Sequence, residues 1–278
     1  MSLYKYVSPE RLDIIRNLRI RFTQPGAQND PFELRPVVDR FRRPEVARQA
    51  LSRPFSEEWD QQFSDKILKQ FGPQLVNEIE RKFPGYFAAQ KEVALAKADM
   101  ESDRGARDEI NRLLNTLGIF SLSEVPDDLL MWAHYAANHT GFVLEFDDAN
   151  VWFWAQRPKG DDCGNLRKVS YADQPSSGCL AELKAPEVFY AKGKKWEYER
   201  EWRIIRPLVE SSTSPSEGVF LFDLPATVVT GVIAGLRTSG ESLQELQEIH
   251  QSNSQLAHLR IGHILEVRNS NTFQIGWA

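Results

Sequence analysis

Residues 128–146 read DLLMWAHYAANHTGFVLEF and hold the change from helical to extended patterning that decides the fold class. From Asp128 to His139, Trp132, Tyr135, Ala136 and His139 fall at i, i+3, i+4 and i+7, the spacing of one helix face. Pro126 stands near the start of this helix and Gly141 just past its end. GFVLEF then alternates as a strand does. Phe142, Leu144 and Phe146 take one side, and Gly141, Val143 and Glu145 the other. Two readings of the helix stand side by side. In one, Trp132 and Tyr135 only pack on a sheet. In the other, the helix end walls a pocket, with His134 or His139 as a donor. The two histidines are five residues apart, so they do not form the i, i+4 pair that chelates a metal on a helix. Glu145 reads as a carboxylate at a sheet surface.

The same helix-and-strand alternation extends outward from this stretch. Upstream, LYKYV (residues 3–7) is a strand. Ser8 and Pro9 open a short helix with a hydroxyl cap, RIRF (19–22) is a second strand, and GIFSLS (118–123) is a third. In NDPFE (29–33), Asn29 and Asp30 bond neighbouring backbone and Pro31 stiffens a corner, leaving Glu33 to meet Arg203 or Lys5. From about residue 36 to 117 the spacing is helical throughout. Downstream, LRKVSYA, VFLF, TVVTGVIAG, LRIGHILEV and FQIGW read as strands, and ESLQELQEIHQS reads as a helix. Strand motifs lie on both sides of the helical run. The expected architecture is therefore a single α+β domain of mainly antiparallel short strands, with a helical insertion over about 36–117.

Composition narrows the function classes. The chain has 278 residues, 41% hydrophobic and 26% charged, with a formal net charge of −5. That balance supplies no positive field for nucleic acid. Cys163 and Cys179, the only two cysteines, are too few for a disulfide framework or a cysteine zinc site. No apolar run is long enough to span a membrane, and MSLYKYVSPERL lacks the apolar core of a signal peptide. The expectation is a reduced, cytoplasmic protein.

The densest chemistry is WEYEREWRI (196–204). Taken as a strand, it places Trp196, Tyr198, Arg200, Trp202 and Ile204 on one face, and Glu197, Glu199, Glu201 and Arg203 on the other. Carboxylates so close shift each other's proton affinities, which general acid–base work exploits. A solvated face with one Glu–Arg pair is the alternative. Lys192, Lys194 and Lys195 just upstream form a loop suited to an anion or simply to water.

Taken in order, LYKY, NDPFE, FSLS, LLMWAHYAANHTGFVLEF, VSY and KKWEYEREWRI resemble the prokaryotic domain of unknown function 2971, from Leu3 to about Gly235. The arrangement is also similar to the ADP-ribosyltransferase scaffold. That resemblance implies NAD held by Lys5 or Tyr6 on the first strand, Tyr135 in the middle and a late glutamate, Glu201 or Glu199. The chain departs from that scaffold in having no His or Arg within LYKYV and no serine-rich middle motif. Glu201 and Glu199 are thus the candidate catalytic residues. Tyr4, Tyr6, Asn29, Trp132, His134, Tyr135 and Arg203 are the candidate cofactor-binding residues. The resemblance implies an NAD-dependent transferase or glycohydrolase, a toxin or phage-defence effector. A non-catalytic nucleotide- or protein-binding module is the alternative, and an interaction protein using its helical segment is a third.

Overall fold

A computed structural model describes residues 1–30, 37–38, 105, 108, 111–112, 114–154, 164–174, 177–178 and 188–277. Most of the expected helical insertion, both cysteines, and Pro31 and Glu33 lie outside the described residues. The chain divides into two compact units. One comprises Met1–Arg35, Leu113–Pro175 and Lys184–Ala278, and the other Pro36–Arg112 with Ser176–Leu183. In chain order the strands are β1 (Ser2–Val7), β2 (Arg19–Phe22), β3 (Val37–Val38), β4 (Leu117–Ser123), β5 (Phe142–Asp147), β6 (Arg167–Lys168), β7 (Ser170–Ala172), β8 (Ser177–Gly178), β9 (Ala191–Gly193), β10 (Glu201–Pro207), β11 (Thr213–Ser216), β12 (Val219–Asp223), β13 (Val229–Ala234), β14 (Arg260–Glu266) and β15 (Phe273–Trp277). The described α-helices are α1 (Asp13–Asn17), α2 (Leu129–Tyr135) and α3 (Gly240–Ser252). In the second unit, β3 pairs in parallel with β8.

The first unit is α+β, as the alternation implies. Its main sheet has eight strands in the order β15-β14-β13-β5-β1-β4-β10-β6. All its neighbours are antiparallel except β13 and β14. Those two are joined through α3, as a parallel pair needs a crossover. A three-stranded sheet, β11-β12-β2, and a parallel pair, β7 with β9, complete the unit.

Period-two alternation sorts the side chains onto two faces. Leu3, Phe120, Leu122, Phe142, Leu144, Phe146, Ile204 and Val232 pack in one cluster with Ile14 and Ile15 of α1 and Leu246 and Ile249 of α3. Tyr6, Val143, Ile233 and Ile264 pack in another with Met131 and Trp132 of α2. α2 starts where Asp128 Oδ1 accepts from the Met131 N–H at 2.9 Å, a side-chain cap on an otherwise orphaned donor. It stops at Tyr135, not at His139, because Ala137, Asn138 and His139 turn left-handed. His139 therefore leaves the helix face, yet its ring still stacks near Trp132. Gly141 is required here: a Cβ would lie 2.1 Å from the Val7 carbonyl.

Three further expectations are corrected. The first is the helix start at Ser8, which lacks the expected hydroxyl cap; the Ser8 backbone carbonyl accepts the Arg11 N–H instead. Next, Glu145 is buried, not at a surface, and receives Arg260 Nη2 at 2.8 Å. Finally, Lys194–Glu199 forms a 3-10 helix, with Arg200 left-handed at φ 43°, and the strand begins only at Glu201. Trp196 and Tyr198 therefore do not share a strand face with Trp202.

Candidate functional site

Strands β1 and β4 touch at a single register pair, Tyr4 with Ser123, whereas β1 follows β5 through the whole run from Ser2 to Val7. Past Tyr4 the two strands part. At the far end Thr23 closes onto β4, exchanging backbone hydrogen bonds with Ile119 at 2.9 Å each way. Ser121 lies between these closures, and its carbonyl accepts from Lys5 Nζ at 2.9 Å. A sheet cannot open without giving its stranded backbone groups other partners. A lysine on the otherwise apolar Leu3–Val7 face does so here. A cleft of about 240 Å³ occupies the opening, lined by Tyr4, Lys5, Tyr6, Asn29, Tyr135, Lys192, Glu199 and Glu201 among others.

The charged floor is built from three elements. Pairing of β7 with β9 sets Lys192 in register with Tyr171. The Tyr171 hydroxyl accepts the Glu201 N–H at 2.7 Å, which anchors the start of β10. Ser123 Oγ donates to the Glu199 carbonyl at 2.6 Å, which ties the 3-10 turn to β4. With both ends held, the two glutamates converge on one ammonium. Lys192 Nζ donates to Glu199 Oε2 at 2.6 Å and to Glu201 Oε2 at 2.9 Å. Behind them, Arg203 grips Glu201 through Nε at 2.7 Å and Nη2 at 2.9 Å, and donates Nη1 to the Phe189 carbonyl at 2.9 Å. All four side chains are deeply buried, Arg203 completely. Burial pulls Lys192 down, but Glu201 and Glu199 push it above the ordinary lysine value. Burial pushes the Glu201 carboxyl up, against Lys192 and the Ser121 hydroxyl. Burial also pulls Arg203 down to about 9, opposed by the Asp30 charge, so it stays a cation at neutral pH.

The other Glu199 oxygen faces the cleft wall. Tyr135 OH donates to Glu199 Oε1 at 2.5 Å and itself accepts from Asn29 Nδ2 at 2.6 Å. Burial and the Glu199 charge push the tyrosine hydroxyl up, so it remains a donor. Asn29 therefore bonds a side chain across the fold, not the local backbone expected of the corner. Lys5 is pulled down to about 8 by burial, against the attraction of Glu201.

Of the candidate residues, Tyr4, Tyr6, Asn29, Tyr135, Glu199 and Glu201 line one cleft. Trp132 is fully buried beneath it, packing edge-on against Tyr6 and donating Nε1 to the Pro126 carbonyl at 2.9 Å. Arg203 stands behind Glu201. His134 is outside the lining and meets the Tyr198 hydroxyl at 3.3 Å. Lys192, read from sequence only as one of three loop lysines, is the hub of the floor. Its signal was its place at a short strand opposite VSY. Among the described residues no His, Cys, Asp and Glu group is placed to hold a metal ion, and no helix is long and apolar enough to cross a membrane.

No curated protein and no solved structure matches the chain. Residues 131–204 match the family model described as Protein of unknown function (DUF2971), so the resemblance read from the sequence holds over the segment that supplies Tyr135, Lys192, Glu199, Glu201 and Arg203.

Proposed function

We propose that the cleft takes the ribose end of a nucleotide such as NAD and that the chain is an NAD-consuming transferase or glycohydrolase. One observation carries this reading: a glutamate pair tied to one lysine forms the floor of a polar cleft in a parted sheet. Breaking a ribosyl C1′–N bond sends its electron pair to the nicotinamide nitrogen and leaves positive charge on the sugar. A fixed carboxylate stabilises that charge. Water then adds at C1′ and gives up a proton.

The roles divide between the two glutamates. Glu201 has both oxygens held by Arg203 and Lys192, which suits a support. Among the described residues, Glu199 Oε1 is held only by the Tyr135 hydroxyl, which sits on the cleft lining. Glu199 is therefore the carboxylate that meets a sugar hydroxyl or the attacking water. The volume suits a ribosyl group with its base better than a whole dinucleotide, whose remainder extends outward.

The purified chain is incubated with NAD and nicotinamide release is followed. The wild type should turn NAD over, and Glu199→Gln should lose that activity while still binding ADP-ribose. A wild type that neither releases nicotinamide nor binds ADP-ribose would sink the reading. A second reading, a module that binds without turnover, draws on the fact that every oxygen of both carboxylates already has a donor. It predicts ADP-ribose binding with no nicotinamide release.

A further inference from the structure

We propose that Lys5 is the anion-binding post of the cleft, its ammonium taking a phosphate group of the ligand. The inference deepens the nucleotide reading, but the anion contact itself stands on the surroundings of Lys5. Among the described residues, two cations line the cleft, Lys5 and Lys192. Lys192 is committed to Glu199 and Glu201, and Arg203 behind the floor is committed to Glu201. Lys5 differs from both. Its one hydrogen-bond acceptor among the described residues is the neutral Ser121 carbonyl, and its ammonium sits 5.3 Å over the Phe120 ring. An ammonium has three donors, so two remain for a ligand.

Position in the strand strengthens the case. Leu3, Lys5 and Val7 share a side of β1, and Leu3 and Val7 lie in the main apolar cluster. An aliphatic residue at position 5 would serve that core better. Burial works against the lysine's charge, a local cost of the kind that marks functional sites. A phosphate or sulfate arriving in the cleft would bring a charged acceptor within hydrogen-bond reach, where the described residues offer Lys5 only the neutral Ser121 carbonyl.

The same geometry sets a pH dependence. The charged groups acting on Lys5 are Glu201, Glu199 and Lys192 of the floor and Arg11 of the turn after β1. The carboxylates favour its charge, and the two cations oppose it. With its value pulled to about 8, the free lysine is mostly charged at pH 7 and mostly neutral at pH 9. Binding of an anion whose own charge is constant over that range should weaken about tenfold between the two.

The experiment measures binding of inorganic sulfate, ADP-ribose and adenosine to the whole chain by thermal shift and calorimetry. The proteins are wild type, Lys5→Met and Lys5→Gln, the glutamine keeping a donor for Ser121 without the charge. Sulfate and ADP-ribose should each bind the wild type at least tenfold more tightly than either variant at pH 7. The advantage should shrink at pH 9, and adenosine should not discriminate. Sulfate dependence on Lys5 without any ADP-ribose binding would uphold the post and overturn the nucleotide reading. ADP-ribose binding that both variants retain in full would overturn the post and leave the nucleotide reading standing. No discrimination by sulfate or ADP-ribose would overturn the post.

Discussion

Replacing Lys192 with methionine removes the hub of the floor and leaves its shape nearly intact. Two buried carboxylates, Glu199 and Glu201, would then share a site that has lost their common ammonium, with Arg203 still bonded to Glu201. Removing one partner of a buried ion pair costs about 3–5 kcal/mol, because the remaining charge stays desolvated. A unit of this size loses about 2–4 °C of Tm per kcal/mol, so Lys192→Met should melt about 6–20 °C below the wild type at pH 7.

Acid should close that gap. Without Lys192, one of the two carboxyls has a folded-state proton affinity raised above its unfolded value. A group so raised contributes stability that is full below its unfolded value and is lost as pH rises through the folded one. The variant therefore recovers toward pH 5, while wild-type Lys192, itself raised, keeps its contribution throughout that range. Melting followed by circular dichroism at pH 5, 6, 7 and 8 reads both effects. A variant within 2 °C of wild type at pH 7, or a deficit as large at pH 5 as at pH 8, would refute the claim that Lys192 neutralises the pair.

Gly141→Ala places a Cβ on the Val7 carbonyl oxygen, a backbone atom that cannot move aside; urea denaturation should show a loss of about 3 kcal/mol or more, at the upper end of overpacking costs. Asp128→Ala removes the cap on Met131 N–H and should cost about 1 kcal/mol in the same assay, with α2 fraying and Tyr135 loosening its grip on Glu199.

The strands were legible because each has one face in a core. LYKYV, RIRF, GIFSLS and GFVLEF alternate, and each is a strand. KKWEYE alternates equally well yet coils as a 3-10 helix, since Trp and Tyr among glutamates satisfy period two without committing to it. The break at Arg200 is left-handed without a glycine to announce it. Glu145 looked like a surface residue because alternation reports a face and not its partners. The partner, Arg260, comes from 115 residues away. The end of α2 lies earlier than the periodicity implies because Ala137, Asn138 and His139 are left-handed in a row; Asn and His tolerate that region better than most residues, but a run of three is not announced by their types.

The site divides along the same line. Glu199 and Glu201 are two apart, so their joint placement was written in the spacing, and it survived the wrong secondary structure. A kink at Arg200 replaces a flat strand, but the held ends at Ser123 and Tyr171 still bring both carboxylates to Lys192. What spacing could not contain is the ion that answers them. Lys192 arrives on β9 through its pairing with β7, and Lys5 arrives on β1, on the far side of the opening from β4 and β10. Buried ion pairs are weak evidence for stability, because well-packed apolar residues of similar volume often do as well or better. A sheet that opens between β1 and β4, lines the opening with two lysines and two glutamates, and closes again at Thr23 therefore gains little as a scaffold. That arrangement is what supports the proposal of a polar, charged ligand in the opening between β1 and β4.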